Sequence, residues 1–209
     1  GVVLEFAVHD HFALANVPYY ILLGILCGLV SVYFIRLNIK IEKWITGIKN
    51  QFKRILIGGA LLGLLIYVFP SLYGEGYTSL ENLLTDNADA ILKNTYFFDF
   101  RNYAFVLVLY VLGLVFMKVV ATALTNGSGG VGGVFAPSLF TGGVTGFLIA
   151  TLINMTGIVT VPVSYFVLAG MAGVMSGVMN SPLTAMFLIA EITSGYSLLV
   201  PLMIASVTA

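Results

Sequence analysis

The stretch that decides the fold is residues 126–137, which read NGSGGVGGVFAP. Five glycines lie between Asn126 and Phe135, Pro137 follows them, and a long apolar segment begins at once. Proline is favoured in the first turn of a helix, and glycine allows the backbone to turn sharply or to approach a neighbour closely. The pattern therefore predicts a loop that leads directly into the start of an apolar helix.

Two nucleotide-binding motifs are excluded at this loop. Residues 127–132 formally match G-x-G-x-x-G, but that fingerprint requires a preceding strand and an acidic residue about 20 positions later. The preceding segment is predicted to be an apolar helix, and the next acidic residue is Glu191. A P-loop ends in Gly-Lys-Ser/Thr, whereas residues 134–136 are Val-Phe-Ala. The loop is therefore not predicted to bind a nucleotide.

The start of the predicted helix is a candidate anion site. The first turn of a helix has unpaired N–H groups and about half a positive charge, so it attracts anions. Here the donors are the backbone N–H groups of Val134 and Phe135. The residues predicted to support them are Gly132, Gly133, Ala136 and Pro137. Neutral backbone donors can hold an anion and still release it, as conduction requires. The alternative is a tight turn between packed helices that binds nothing.

The composition predicts a membrane protein. Of the 209 residues, 59% are hydrophobic and 9% are charged, and the mean hydropathy is +1.04, whereas soluble domains average about 25% charged residues. The net charge of +0 argues against a nucleic-acid partner. A single cysteine, Cys27, cannot form a disulfide framework or a thiolate cluster within the chain. His9 and His11 lie in a short connector without a second group of ligands, so no metal or other cofactor is predicted.

The distribution of charge predicts an orientation. Apolar spans are predicted at about 17–39, 55–69 and 103–124. The connector 36–54 has six basic residues and one acidic residue, so the positive-inside rule assigns it to the cytoplasm. The segment 75–101 has five acidic and two basic residues and follows one crossing later, so it is predicted to be extracellular or periplasmic.

After residue 124 the apolar segments are interrupted by glycine, proline and asparagine. They cover 135–153, 164–178, 182–192 and 196 onward. Several are too short to cross a hydrocarbon core of about 30 Å alone. Such broken helices are typical of transporters, in which irregular backbone lines a cavity. Close helix packing is a second reason for glycine here, and the spacing of Gly142 and Gly146 favours it.

The loop also carries a family resemblance. Gly133-Val134-Phe135-Ala136-Pro137 resembles the G-x-F-x-P motif of the CLC family of chloride channels and chloride/proton antiporters. Residues 169–173 (AGMAG), 180–185 (NSPLTA) and 188–193 (LIAEIT) are similar to the family's segment near the dimer interface, in the same order and spacing. The resemblance covers essentially the whole chain.

This resemblance implies an all-α, polytopic membrane fold with two inverted-topology halves, of which the chain is the second. Residues 1–8 would be the tail of a preceding helix, and 9–209 the second transmembrane repeat, truncated before its last helix. The implied protein is a homodimer in the lipid bilayer of the cell membrane, associated through the helices around 181–209, with chloride as the transported ion. Val134 and Phe135 would contribute their backbone N–H groups to the central anion site.

Other parts of such a site are expected outside the chain. The family's G-K/R-E-G-P gate motif does not occur here, its serine ligand belongs to the first half, and its tyrosine ligand would lie beyond Ala209. Ser128 is therefore not predicted to be a ligand, and both channel and antiporter stay open. Glu191 is predicted to be an interface or buried acid rather than a proton carrier. For Lys118, a role in raising the local potential for an anion is weighed against snorkelling towards the membrane surface, and snorkelling is favoured.

Two other classes of function are weighed against anion transport. A coupled carrier for another anionic solute would show the same broken helices, with the helix start facing a substrate carboxylate. An intramembrane hydrolase would need a histidine base or a metal at membrane depth, and both histidines lie in a connector. The sequence therefore favours transport over enzymatic activity.

Overall fold

A computed structural model describes residues 14–74, 76–84, 104–157, 159–193 and 198–209. Within these ranges the fold is all-α, as the sequence predicts, with eight α-helices and two short 3-10 helices, Leu14–Asn16 and Pro70–Leu72. The α-helices are α1 (Val17–Thr46), α2 (Gln51–Val68), α3 (Tyr77–Leu84), α4 (Ala104–Ser128), α5 (Phe135–Met155), α6 (Val163–Met179), α7 (Pro182–Ile192) and α8 (Leu199–Thr208).

Four of the described helices are long and apolar enough to cross a membrane. They are α1 together with the 3-10 helix before it, α2, α4 and α5. The helices α6, α7 and α8 have 17, 11 and 10 residues, which agrees with the prediction of segments too short to cross alone. The segment beginning at Phe135, by contrast, has 21 residues and reaches the length of a span.

Helix ends differ most from the prediction where charged residues follow an apolar span. Helix α1 continues past residue 39 to Thr46, and α2 begins at Gln51, so most of the basic connector is helical. Lysine, arginine and glutamate are good helix formers, and a change in hydropathy therefore marks the end of a membrane span rather than the end of a helix. Asn50 caps α2, because its Oδ1 accepts hydrogen bonds from the N–H groups of Phe52 and Lys53.

The centre of the fold is a backbone-to-backbone contact between α5 and α6. A Cβ atom on Gly142 would overlap the carbonyl oxygen of Gly170, and one on Gly146 would overlap that of Phe166. A Cβ atom on Gly170 would likewise overlap the carbonyl of Gly142. Small residues allow this approach in membrane proteins, where dispersion forces rather than water drive helix association. The close-packing interpretation of Gly142 and Gly146 is therefore confirmed.

The other long helices surround this pair. Helix α1 packs on α4, α6 and α8, and its Gly24 lies against Thr208 of α8. Helix α2 contacts mainly α4, and the contact is closest where Gly58 faces the side chain of Ser128. Gly58 is the buried residue of α2, so the rest of that helix forms an outer layer with large apolar side chains on its surface.

A sharp turn joins α6 to α7. Asn180 ends α6 in the left-handed conformation, with φ of 53°, and its N–H donates to the carbonyl of Ser176. Asparagine tolerates this conformation better than most residues, and Pro182 then begins α7 at a position where proline is favoured. The exposed faces of α7 and α8 are apolar, with Leu183 and Phe187 on the first helix.

Parts of the prediction lie outside the described residues. These include residues 1–8, His9 and His11, and, in the stretch between α2 and α4, residue 75 and residues 85–103. Within that stretch, helix α3 is a finding that hydropathy did not predict. It is short and amphipathic, and its buried Leu80 and Leu83 pack in the core with the α5–α6 pair.

We predict that Gly146→Ala lowers the stability of the full-length protein by about 1–3 kcal/mol, because the new methyl group would enter the backbone of α6. Gly63→Ala on α2 is the matched control, since a Cβ atom there meets nothing within 4 Å. Thermal unfolding in detergent measures both variants. The same midpoint for the two proteins would contradict the packing described for α5 and α6.

Candidate functional site

The glycine-rich loop closes the end of α4 before α5 begins. The N–H of Gly129 donates to the carbonyl of Asn126 at 3.2 Å, and that of Gly130 donates to Thr125 at 2.9 Å. The hydroxyl of Ser128 donates to the carbonyl of Leu124 at 2.5 Å. The carbonyl groups of Thr125 and Asn126, two of the last four in α4, are therefore hydrogen-bonded, which weakens the negative charge at this end of the helix. The hydroxyl of Ser128 is thus used in a hydrogen bond within its own helix, which agrees with the prediction that Ser128 is not a ligand.

Four of the five loop glycines are needed for structure. Gly127 packs on α1, where an added Cβ atom would lie 3.1 Å from Cβ of Ile45. Gly129 has φ of +99°, which favours glycine. Added Cβ atoms on Gly130 and Gly132 would lie 2.9 Å and 2.5 Å from atoms of Thr125 and Asn126. Turn geometry and packing thus account for glycine at these four positions.

Gly133 differs from the other loop glycines. A Cβ atom there would meet nothing within 4 Å, and no positive φ requires glycine. The residue lines an open cleft instead. Packing does not explain why this position lacks a side chain.

The first turn of α5 presents free donors. Val134 precedes the helix, and the first backbone bond at this end is donated by Ser138 N–H to the carbonyl of Val134, at 3.0 Å. In the part of the chain that the structure describes, the N–H groups of Val134 and Phe135 have no acceptor. Pro137, the third residue of the helix, has no N–H to satisfy. The helix therefore begins where the sequence predicted, with the predicted donors unpaired.

The hydroxyl groups of α5 do not compete for a ligand. Ser138 Oγ donates to the carbonyl of Phe135 at 2.6 Å, and Thr141 Oγ1 donates to that of Pro137 at 2.8 Å. Thr145 Oγ1 bonds back to Thr141 in the same way. The polar groups that are free at this end of the helix are consequently the backbone N–H groups.

A cleft of about 570 Å³ lies at this helix start. Its walls come from α2, the turn after α2, α4, the glycine loop and the first turn of α5. The lining residues from the loop and α5 are Val131, Gly132, Gly133, Phe135, Ala136 and Pro137. The cleft thus brings together five of the six residues that the sequence assigned to the site, with Val134 half-buried between them. Phe135 is 40% exposed and forms an apolar wall.

Lys118 is a buried cation in the wall of the same cleft. It is 3% exposed, its Nζ donates to the carbonyls of Leu72 (3.2 Å) and Gly74 (2.8 Å), and the ammonium lies 4.7 Å from the ring centre of Phe140. The expectation that this lysine snorkels is therefore wrong. Carbonyl groups and an aromatic face stabilise the charge inside the protein. Its partners lie 44 and 46 residues away in sequence, so spacing could not predict them.

Glu191 lies on the exposed face of α7, with Phe187 one turn and Leu183 two turns before it. Within this chain it is therefore not buried, which corrects one of the two predicted environments. Its role at an interface stays a prediction. No group of three or more potential metal ligands occurs among the described residues.

Comparison with known proteins identifies the family. The profile of the voltage gated chloride channels matches residues 1–209. The chain belongs to this CLC family. It is 34% identical to chloride channel protein CLC-f of Arabidopsis thaliana over 93% of the chain and 25% of that protein. It is 31% identical to the H(+)/Cl(-) exchange transporter ClcA of Vibrio parahaemolyticus over 92% of the chain and 38% of that protein.

A solved structure has the same fold. The crystal structure of a CLC-type fluoride/proton antiporter aligns with 99% of the chain at a TM-score of 0.75 and 20% identity. The chain covers 46% of that structure and 25–38% of the two relatives above. The CLC fold and membership of a multi-pass membrane protein family are therefore established, and the chain corresponds to a part of these longer proteins.

We predict that Lys118→Met lowers the stability of the full-length protein by about 2 kcal/mol, because two carbonyl groups lose a charged donor. Lys49→Met is the control, since Lys49 is exposed in the turn before α2. Thermal unfolding of both variants measures the difference. Equal midpoints would mean that the bonds from Lys118 do not hold the turn after α2.

Proposed function

We propose that the protein transports chloride or a related small anion along a pathway that includes the start of α5, as a channel or as an anion/proton antiporter. The names of its relatives support this proposal, since they include a chloride channel protein and an H(+)/Cl(-) exchange transporter. The structural neighbour is a fluoride/proton antiporter, so small anions are common to all three.

One observation carries the proposal. The unpaired N–H groups of Val134 and Phe135 stand at the positive end of α5, beside a cleft with no carboxylate among its described lining residues. An anion loses hydration at membrane depth, and fixed backbone donors offset part of that loss. Because these donors are neutral, the anion is held more weakly than by a free cationic side chain, and it is able to leave.

Lys118 adds a positive field to this arrangement. Lys118 is one of the residues that line the cleft, and carbonyl groups and the ring of Phe140 surround its ammonium. Because the ammonium is already hydrogen-bonded, it makes the electrostatic potential in the cleft more positive, which attracts an anion, but it does not form a tight ion pair with that anion. We assign it an electrostatic role rather than that of a direct ligand.

The chain accounts for one half of the proposed pathway. Residues 9–209 would form the second inverted repeat, and the first half would supply the glutamate gate and the serine ligand. The coverage of 46% of the structural neighbour supports this division. In the same scheme the connector 36–54 is cytoplasmic and the segment 75–101 lies on the opposite side, as their charges suggest.

A second copy of the protein would pack on α7 and α8. The exposed apolar side chains on these helices include Leu183, Phe187, Met203 and Val207. They recur at intervals of three and four residues along each helix and so form continuous faces. Glu191 lies at the end of the face on α7, and we assign it to this interface.

Anion flux tests the function and the site together. We predict that the full-length protein in liposomes moves chloride. We also predict that Gly133→Ala weakens the chloride dependence of this flux. Its thermal stability should stay unchanged, because the new methyl group enters open space in the wall of the cleft. Gly130→Ala should instead lower stability, because its Cβ atom would lie 2.9 Å from the carbonyl oxygen of Thr125.

Two results would contradict this prediction. Uptake of an organic anion without chloride movement would refute chloride transport. Normal chloride dependence in Gly133→Ala would show that the start of α5 is not part of the pathway. Proton movement driven by a chloride gradient in the same liposomes then separates antiporter from channel.

The dimer prediction uses two leucines of equal exposure. Leu183 on α7 and Leu64 on α2 are each 64% exposed. We predict that Leu183→Trp shifts the detergent-solubilised protein from dimer towards monomer, because a larger side chain disturbs a packed interface, and that Leu64→Trp leaves the dimer intact. Size-exclusion chromatography with light scattering reads out the mass. A dimer that resists Leu183→Trp but dissociates with Leu64→Trp would move the interface to α2.

A further inference from the structure

A groove of about 360 Å³ lies on the outer face of α1, at the end that leads into the basic connector. All of its lining residues come from α1: Leu29, Val32, Tyr33, Arg36, Leu37 and Lys40. Along this α1 groove the side chains change from apolar at Leu29 to basic at Lys40. None of the lining residues belongs to the cleft at the start of α5, so the proposed anion pathway does not account for them.

The length of α1 places this change in chemistry near a membrane boundary. Residues 17–35 contain no charged side chain, and a helix of that length rises about 30 Å, the thickness of the hydrocarbon core. Arg36 therefore lies at the edge of the core. Lys40, one turn further on, lies about 6 Å into the headgroup layer, whereas Leu29 lies about 10 Å deeper than Arg36.

The basic end of the α1 groove has no counter-ion within the described residues. The side chains of Arg36 and Lys40 are exposed, and they make no hydrogen bond or ion pair with those residues. The one acid of the basic connector, Glu42, lies about 120° around the helix from Arg36, with its backbone against Gly127 of α4. Lys43 returns to the face of Arg36, so the charge on this face is positive throughout.

The apolar end of the α1 groove is exposed at the depth of the hydrocarbon core. Leu29 is 63% exposed and Val32 is 47% exposed. Beside them, the hydroxyl of Tyr33 donates to the carbonyl of Phe116 on α4 at 3.2 Å, and the two rings meet edge to face with their centres 5.0 Å apart. This wall is therefore fixed before any ligand arrives, which lowers the entropic cost of binding.

We propose that the α1 groove binds an anionic phospholipid from the leaflet on the side of the basic connector, with the lipid phosphate between Arg36 and Lys40 and one acyl chain in the apolar end. Basic side chains at a membrane surface attract anionic lipids. A free phosphate ion would use the basic end alone, whereas a phospholipid matches both ends in their order of depth. The inference depends on α1 spanning the membrane and not on the anion pathway.

Lipid titration followed by native mass spectrometry of the full-length protein tests the basic end. The wild-type protein should bind phosphatidylglycerol about tenfold more tightly than phosphatidylcholine with the same acyl chains. Arg36→Gln combined with Lys40→Gln should remove most of this difference. Lys49→Gln combined with Lys53→Gln is the matched control, because it removes the same charge from exposed residues outside the groove. It should change either affinity less than about twofold, since screening weakens attraction over distance.

A second pair of variants tests the apolar end without changing charge, and it keeps the proposal falsifiable if the charge variants do not fold. Leu29→Trp fills the groove and should weaken phosphatidylglycerol binding about fivefold. Ile25→Trp adds a similar bulk one turn away, at a residue that is 52% exposed and outside the groove, and it should leave binding unchanged.

Four results would overturn the lipid site. Equal losses in the two charge pairs would show a diffuse attraction to the basic connector, and equal binding of the two lipids by the wild-type protein would show no recognition of the headgroup. Competition by inorganic phosphate at the same concentration as the lipid would indicate a site for the ion alone. A structure of the full-length protein with another protein segment in the groove would replace the lipid as its occupant. None of these measurements reads out transport, so the proposed function is tested separately.

Discussion

The backbone contact between α5 and α6 is the interaction on which the rest of the structure depends. Gly142 and Gly146 on one helix meet Gly170 on the other with no room for a side chain at any of the three positions. Contacts this close couple the two helices as one body, because interiors packed at this density do not deform continuously. The start of α5 is therefore held in place from within the core, and the unpaired N–H groups of its first turn keep their place beside the cleft.

The glycine loop satisfies two requirements that first looked like alternatives. It must fold back far enough to occupy the carbonyls of α4, and it must release the chain so that α5 begins with free donors. The N–H groups of Gly129 and Gly130 bond to carbonyls of α4 and so meet the first requirement. Gly133 has no side chain, so the cleft stays open next to the free donors at the start of α5. A tight turn and the proposed anion site at the helix start are therefore compatible, because hydrogen bonds to the carbonyls of α4 lower the repulsion felt at the neighbouring donors.

The sequence predicted the elements that proline, glycine and hydropathy mark directly. The starts of α5 and α7 agree to the residue, since Pro137 and Pro182 lie in their first turns. The end of α1 was missed because helical hydrogen bonding continues into charged residues, and α3 because a short amphipathic helix shows no apolar span. The burial of Lys118 depends on carbonyl groups that the fold brings near, and no local pattern encodes those contacts.

Charge is scarce in the second half of the chain, and the structure gives this scarcity a physical meaning. After Arg101 the sequence contains only Lys118 and Glu191. The lysine is surrounded by carbonyls and an aromatic ring, and the glutamate lies on the outer face of α7. Neither provides an uncompensated charge in the cleft, where a bare cation would bind an anion too tightly and a carboxylate would repel it. On the proposed pathway the backbone N–H groups are then the donors for an anion, and their moderate strength would allow the anion to be dehydrated in the protein and still be released.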